Sequence, residues 1–281
     1  MTPFRPRRNL LLGGAGLLGR ALDKALHAAG EQTVVFDLKD GFDLRSSVPT
    51  DVREDDYCWF LAWDVGGAKY IFDPDAQLQI LHSNLSLMTN VFRWIERHHL
   101  MFSFVSTQLA GFPNAYGITK LAAEYWASQL SNGFVARLWN CYGAEEVGVR
   151  SHVIPDLIAQ AQAASLISLK TSGEERRQFL HADDVAQALM VQRSSGQAFA
   201  DVTSGVWVPI REIAEIVARQ MNATVKLGQE KGSESLVEPT RPLVGWSPTI
   251  DLEQGIGLVI RQTLATAPFA ATPPETAYLS R

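Results

Sequence analysis

The sequence is short of cysteine, of long apolar runs and of positive charge, and each shortage removes a class of explanation. Two cysteines among 281 residues, Cys58 and Cys141, sit beside apolar or aromatic neighbours. They are too few for a disulfide framework or a thiolate metal site, and they read as buried, reduced thiols. The six histidines lack metal-ligand spacing, so no metal is expected. No stretch approaches the roughly 20 apolar residues of a membrane span. Arg5, Arg7 and Arg8 ahead of Leu10, Leu11 and Leu12 imitate a signal peptide, but Gly13, Gly14 and Gly16 interrupt the run well short of about 7 to 15 apolar residues. A soluble, cytoplasmic chain with no membrane partner is the expectation. With 25 Lys and Arg against 30 Asp and Glu, the net charge of −5 offers no basic face to nucleic acid.

What is present is an ordinary globular composition, 46% hydrophobic and 20% charged, long enough for one large domain or two small ones. The first half alternates short apolar runs with helical patterns. Strands are predicted at 9–12, 33–36, 58–62, 102–106 and 134–138, with helices at 17–29, 78–98 and 115–130. Such βαβ alternation implies an α/β fold, a doubly wound parallel sheet whose ligands bind at the carboxyl ends of the strands. The second half has helices at 153–164, 185–193 and 210–221 and a Gly/Pro/Ser-rich stretch at 228–248. Residues 1–138 and 182–204 are therefore expected to form a dinucleotide-binding domain, and 139–181 and 205–265 a smaller substrate-binding cap. The proline-containing segment 266–281 has no periodicity and reads as a loose tail.

Gly13-Gly14-Ala15-Gly16-Leu17-Leu18-Gly19 follows the first strand and opens the first helix. One glycine permits a tight turn, Gly16 lets backbone N–H groups approach a pyrophosphate at the helix N-terminus, and Gly19 lets helix and strand pack closely. Asp37 ends the second strand at the offset where a carboxylate receives ribose hydroxyls and repels a 2′-phosphate. NAD is favoured, while Lys39 nearby leaves NADP open.

Tyr116 and Lys120 are four residues apart, on one face of a helix. A phenol with a pKa near 10 is a poor base at neutral pH unless an adjacent ammonium stabilises the phenolate. The pair follows a strand ending Ser106-Thr107, whose hydroxyls lie at the carboxyl end of the sheet, so Thr107, Tyr116 and Lys120 are the candidate catalytic residues. Asp183 and Asp184 precede an apolar helix and read as N-caps. Of the seven tryptophans most fall in core patterns, but Trp63 and Trp139 follow strands near the site.

Together, the Gly13–Gly19 run, Asp37, Asp43-Leu44, Leu61-Ala62, Asn84, Ser106-Thr107, Tyr116 to Lys120, the 137–143 segment and the run from Arg176 resemble the extended short-chain dehydrogenase/reductases, in particular the NAD-dependent nucleotide-sugar epimerase/dehydratase group. The resemblance implies that Asp43 and Leu44 contact the adenine, that Leu61 and Ala62 line the dinucleotide path, and that Asn84 also belongs to the cofactor site. It implies that Asn140 lies near the diphosphate of a nucleotide-diphosphate sugar and that Arg177 reaches its ribose or phosphate, with Arg241 as a second phosphate ligand. It also implies a homodimer formed through the helices at 78–98 and 115–130.

The implied chemistry is oxidation of a sugar hydroxyl, at C4, and return of the hydride to the other face, which makes an epimerase. A dehydratase would need acid and base where Gln108 and Leu109 stand. The segments at 63–67 and 151–155 resemble GDP-fucose synthases, in which a His and a Cys move protons beside the keto carbon. His152 fits the former, and Gln108 stands where the Cys would be. A 4-keto reductase or dehydrogenase on the same residues is the alternative, and a noncatalytic dinucleotide sensor the third reading. The link from Thr107 to Tyr116 is shorter than in most relatives, which leaves sugar recognition undetermined.

Overall fold

The computed structural model describes residues 6–234 and 236–266; the expected tail, past Thr266, lies outside them. The chain runs β1 (Asn9–Leu12), α1 (Leu17–Ala28), β2 (Thr33–Phe36), β3 (Tyr57–Phe60), α2 (Ala68–Ile71), α3 (Gln77–His98), β4 (Met101–Thr107), α4 (Ala115–Ser128) and β5 (Gly133–Leu138). It continues through β6 (Asn140–Tyr142), α5 (Val153–Ala164), β7 (Leu166–Ser168), β8 (Arg176–His181), α6 (Ala182–Ser195) and β9 (Phe199–Val202), then β10 (Trp207–Pro209), α7 (Ile210–Met221), β11 (Thr224–Lys226) and α8 (Leu252–Thr266). The main sheet has the order β2-β1-β3-β4-β5-β9 with every neighbouring pair parallel. Strand order reverses between β1 and β3, where an open parallel sheet leaves a crevice at its carboxyl edge.

The period of two in the strands sorts their side chains between two cores. Leu10, Leu12, Cys58, Phe60, Phe102 and Phe104 face α3 and α4, while Leu11, Tyr57, Trp59 and Ala136 face α1 and α6. A third apolar cluster joins α5, α7 and α8 to a small sheet ordered β10-β8-β6. β6 follows β5 after the single residue Trp139, so the second sheet begins where the first one ends.

Several element limits differ from the sequence-based expectation, each for a local reason. The third strand stops at Phe60 because the amides of Leu61 and Ala62 both donate to the Leu12 carbonyl, at 2.9 and 2.7 Å, which turns the chain out of the ladder. The sixth main helix begins at Ala182, and its N-cap is His181, whose Nδ1 accepts from the Asp183 amide at 3.2 Å. Asp184 instead accepts from the amides of Thr249 and Ile250 and from the Thr249 hydroxyl, which ties down the segment leading to α8. Asp183 pairs with Lys24 on α1. α8 itself was not anticipated. Cys58 and Cys141 are both free thiols. Among the described residues, no helix is long and apolar enough to cross a membrane.

Phe92 of α3 is fully buried, with its ring 5.3 Å from Phe60, 5.7 Å from Phe104 and stacked at 5.5 Å on Trp126. Phe92→Ala leaves a cavity that this aromatic cluster cannot close. The expected cost is about 3–5 kcal/mol, read as a lower urea midpoint at unchanged slope.

Candidate active site

A cavity of about 830 Å³ opens where β1, β3, β4 and β5 end. Its wall includes Gly13, Gly16, Leu17, Leu18, Gly19, Asp37, Asp43, Leu44, Leu61 and Ala62 from the expected cofactor set. Thr107, Tyr116, Lys120, Asn140, His152 and Arg177 share the same wall. One concave surface thus gathers groups that are up to 164 positions apart in the chain, from Gly13 to Arg177.

The glycine turn is shaped for a phosphate-bearing ligand. Gly13 has φ +93°, and a Cβ there would lie 2.6 Å from the Ala62 amide nitrogen; at Gly19 it would lie 2.4 Å from the Gly13 carbonyl. Gly16 is the N-cap of α1 and brings no side-chain oxygen to it, so the first amides of the helix are left to a ligand. Asp37 is buried on the wall; its Oδ2 accepts from the Ala15 amide at 3.0 Å and its Oδ1 from the Lys39 amide at 2.9 Å. Each carboxylate oxygen keeps a lone pair for a hydroxyl. These features fit the adenosine diphosphate half of a dinucleotide. Asp43 carries an ion pair to Arg45 at 2.8 Å, and that pairing holds its carboxyl below the usual range.

The catalytic candidates are set by the join of β4 to α4. Asn114 caps α4 by accepting from the Gly117 amide at 2.8 Å, and the cap places Tyr116 and Lys120 against the end of β4. Lys120 Nζ donates to the Val105 carbonyl at 2.5 Å and lies 4.3 Å from the Trp63 ring centre and 4.6 Å from that of Phe104. Burial pulls the ammonium down to about 7, against the pull of Glu124 one turn further along the helix. Burial also pushes the Tyr116 phenol up to about 12, a rise that the facing Thr107 hydroxyl opposes. The unliganded pair is therefore a protonated phenol beside an amine that titrates near neutrality, the range in which proton transfer is efficient.

Glu124 fixes the base of this arrangement. It accepts from the Ser106 hydroxyl at 2.6 Å and from Arg137 at 2.5 and 3.0 Å, and so bolts α4 to β4 and β5. Ser106 is thereby turned away from Tyr116, and Thr107 is the hydroxyl that reaches the phenol.

Gln108 Nε2 donates to Asn140 Oδ1 at 3.0 Å, which places two amides on the wall. Arg177 donates to the carbonyls of Arg176 and Ser233, so its guanidinium is held over the loop containing Ser233 and Glu234, which also line the cavity. Trp63 lies beneath Lys120, and Trp139 donates from its indole to the Val237 carbonyl; both line the cavity.

Two expected ligand residues are placed elsewhere. Asn84 is fully buried, accepts from the Asp64 amide at 2.7 Å and donates to the Asp64 carbonyl at 3.1 Å. It supplies the partners that the irregular loop after β3 cannot find in a ladder, and it does not line the cavity. Arg241 is exposed, stacks its guanidinium 5.2 Å from the Phe199 ring and donates from its backbone to Asp201 at 2.7 Å. Asp201 draws residues 240–242 to the edge of β9 and away from the cavity.

The sequence reading missed two charged residues, Arg150 and Glu145. Arg150 reaches across the cavity wall to Asp64 at 2.7 Å and to the Tyr70 hydroxyl at 2.8 Å. Glu145 holds His152 through the backbone amide and the ring. Arg150 immediately precedes the recognised 151–155 segment and Asp64 lies within 63–67, so the segments were legible but their contact was not. A Cβ on Gly67 would lie 2.2 Å from the Ser151 carbonyl, which shows how closely the two segments pack.

The buried Lys120 is a cost to the fold. Its folded-state value lies below its ordinary one, so the penalty is full below pH 7, fades between about 7 and 10.5, and is gone above that. Lys120→Met is expected to raise the thermal midpoint by about 2–6 °C at pH 6. The gain should shrink toward pH 10, as followed by calorimetry, and turnover should be lost.

Comparison with known proteins agrees with this geometry. Residues 72–199 match the family described as NAD dependent epimerase/dehydratase. The chain is 25% identical to GDP-L-fucose synthase 1 of Arabidopsis thaliana, covering 87% of this chain and 89% of the relative. Its fold matches UDP-N-acetylglucosamine 4-epimerase from Methanobrevibacter ruminantium with TM-score 0.78 at 16% identity, over 93% of this chain and 99% of the other. It also matches a GDP-mannoheptose C4 reductase from Campylobacter jejuni, solved with NADP, with TM-score 0.75 at 18% identity over 93% and 99% of the two chains. The 72–199 stretch thus matches that family's model, and the similarity to a GDP-L-fucose synthase extends over most of the chain.

Proposed function

We propose that the protein is an NAD-dependent epimerase of a nucleotide-diphosphate sugar, acting at C4 through a transient 4-keto sugar. The observation that carries this reading is the presence of Thr107, Tyr116 and Lys120 on the wall of the cavity that also contains the glycine turn and Asp37. The main sheet with α1, α3, α4 and α6 takes the dinucleotide, and the elements around β6, β8 and β10 take the sugar nucleotide. Gly13, Gly16, Leu17, Leu18 and Gly19 hold the pyrophosphate, Asp37 the ribose hydroxyls, Asp43 and Leu44 the adenine, and Leu61 and Ala62 the path between them. When bound, NAD supplies a hydride acceptor beside the reacting carbon.

The chain's own groups handle the proton. Tyr116 takes the proton of the sugar hydroxyl and Thr107 hydrogen-bonds the same oxygen. A charged Lys120 beside the phenol lowers the cost of the phenolate. Arg177 and Asn140 hold the diphosphate, with the guanidinium suited to paired hydrogen bonds. Epimerisation requires the keto sugar to turn over before hydride returns, and the short link of residues 108–114 between β4 and α4 keeps the cover over the sugar small. His152 on the wall and the similarity to GDP-L-fucose synthase 1 favour a second reading, a 4-keto nucleotide-sugar reductase on the same triad, in which His152 is an acid/base.

The deciding experiment is to denature the purified protein and identify any released dinucleotide by absorbance and mass. Retained NAD or NADH supports the epimerase, because the hydride is recycled in place. A protein that is empty and binds NADPH better than NADH overturns the role given to Asp37 and puts the reductase first. Tyr116→Phe is expected to lower kcat by at least about 100-fold while NAD affinity stays within about twofold. Unchanged turnover in that variant would overturn the role given to Tyr116, and a wild-type protein inactive on every nucleotide sugar yet changing partners with NADH would leave only the dinucleotide sensor.

We further propose a homodimer through α3 and α4, which pack on each other and expose Leu78, Leu85, Ile118, Leu121 and Tyr125, the last at 70%. Apolar side chains on adjoining helices are what an isologous interface covers. Ile118→Arg is expected to convert a dimeric mass to a monomeric one in light scattering. A wild-type monomer at micromolar concentration would sink the idea.

A further inference from the structure

His152 is the N-cap of α5, and its imidazole is held on one side only. Glu145 Oε1 accepts from the His152 backbone amide at 2.5 Å and stands 2.8 Å from the ring Nδ1, with Oε2 at 3.1 Å. Glu145 is largely buried and does not line the cavity, whereas His152 lines it with 37% of its side chain exposed. Nε2 makes no hydrogen bond within the described residues. A carboxylate only accepts, so the ring nitrogen facing it must carry the proton. The other nitrogen is left with its lone pair.

We propose that Glu145 is a positioning residue that holds His152 in the Nδ1–H tautomer, so that a neutral imidazole presents Nε2 to the ligand as a proton acceptor. This rests on the second reading above, in which His152 is an acid/base. The order of events follows from the geometry. Nε2 takes the proton from the carbon beside the keto group, the C–H electron pair passes into the keto group as an enolate, and the imidazolium charge forms beside the Glu145 carboxylate. Return of the same proton restores the starting state, so the step balances without a co-reactant. Without Glu145 the ring has no contact that selects a tautomer, and an unconstrained imidazole favours the proton on Nε2, which would make it a donor toward the ligand. The backbone contact also pins the start of α5, and this fixes where the ring sits relative to Arg150 and the 63–67 segment.

The test begins with the wild-type full chain labelled with 15N-histidine, with His152 assigned by comparison with His152→Asn. The expected spectrum shows Nδ1 protonated and Nε2 unprotonated in the neutral ring. Glu145→Leu is expected to move the population to the Nε2–H form. Glu145→Gln, whose amide oxygen still accepts, should keep most of the Nδ1–H form. On the sugar nucleotide that is turned over, Glu145→Leu should lower kcat/KM by roughly tenfold or more, with NAD affinity unchanged and Glu145→Gln less impaired. An Nε2–H ring in the wild type, an unchanged tautomer in Glu145→Leu, or full kcat/KM in that variant each overturns the proposal. If the tautomers behave as expected while no nucleotide sugar is turned over, the proposed function falls and the positioning of His152 stands.

Discussion

Backbone lies against backbone where the β1–α1 turn meets the segment leaving β3, and the whole site is referred to that contact. Gly13 has no room for a side chain against Ala62, and Gly19 has none against Gly13. The Leu12 carbonyl takes the amides of both Leu61 and Ala62, so the same contact ends β3. Turn, helix start and strand end are fixed together, and the crevice between β1 and β3 is what remains. The dinucleotide-shaped wall is in this sense a packing result before it is a binding one.

Much of the fold could be read in the sequence because its signals are local. The apolar run of β1, the glycine spacing and the four-residue step from Tyr116 to Lys120 are all set within a few residues. The residues that the structure places elsewhere than expected depend on distant partners. Asn84 carries the family pattern, yet its amide is consumed by the backbone of Asp64, twenty residues away. Arg241 has the right chemistry for phosphate, but Asp201 holds its backbone at the sheet edge. His181 displaced the aspartates as the cap of α6, because Asp184 was claimed by residues 249 and 250. Tertiary competition for a hydrogen-bonding side chain leaves no periodic trace in the sequence.

The site also places its charges against the interests of the fold. Lys120 is buried over two aromatic rings with one carbonyl partner, while the nearest carboxylate, Glu124, is occupied by Ser106 and Arg137. Had Glu124 been free to pair with Lys120, the amine would be held charged and the helix would be more stable. Glu124 is committed to Ser106 and Arg137, and burial pulls the amine down to about 7, a local frustration of the kind found where chemistry is done.

The ion pair between Asp64 and Arg150 joins two stretches of chain on the wall of one cavity. Asp64 belongs to the loop leaving β3, next to Ala62 and Trp63, and Arg150 to the loop that delivers His152 to α5. The Arg150 guanidinium, the Gly67 amide bonded to the Arg150 carbonyl at 2.9 Å and the close Gly67–Ser151 packing mean that a displacement of the first loop is felt by the second. Thermodynamic reciprocity then applies: whatever occupancy beside Ala62 does to affinity beside His152, occupancy beside His152 does to affinity beside Ala62, by the same factor and with the same sign. Any coupling carried by this contact is equal in both directions, whether or not the two guests touch.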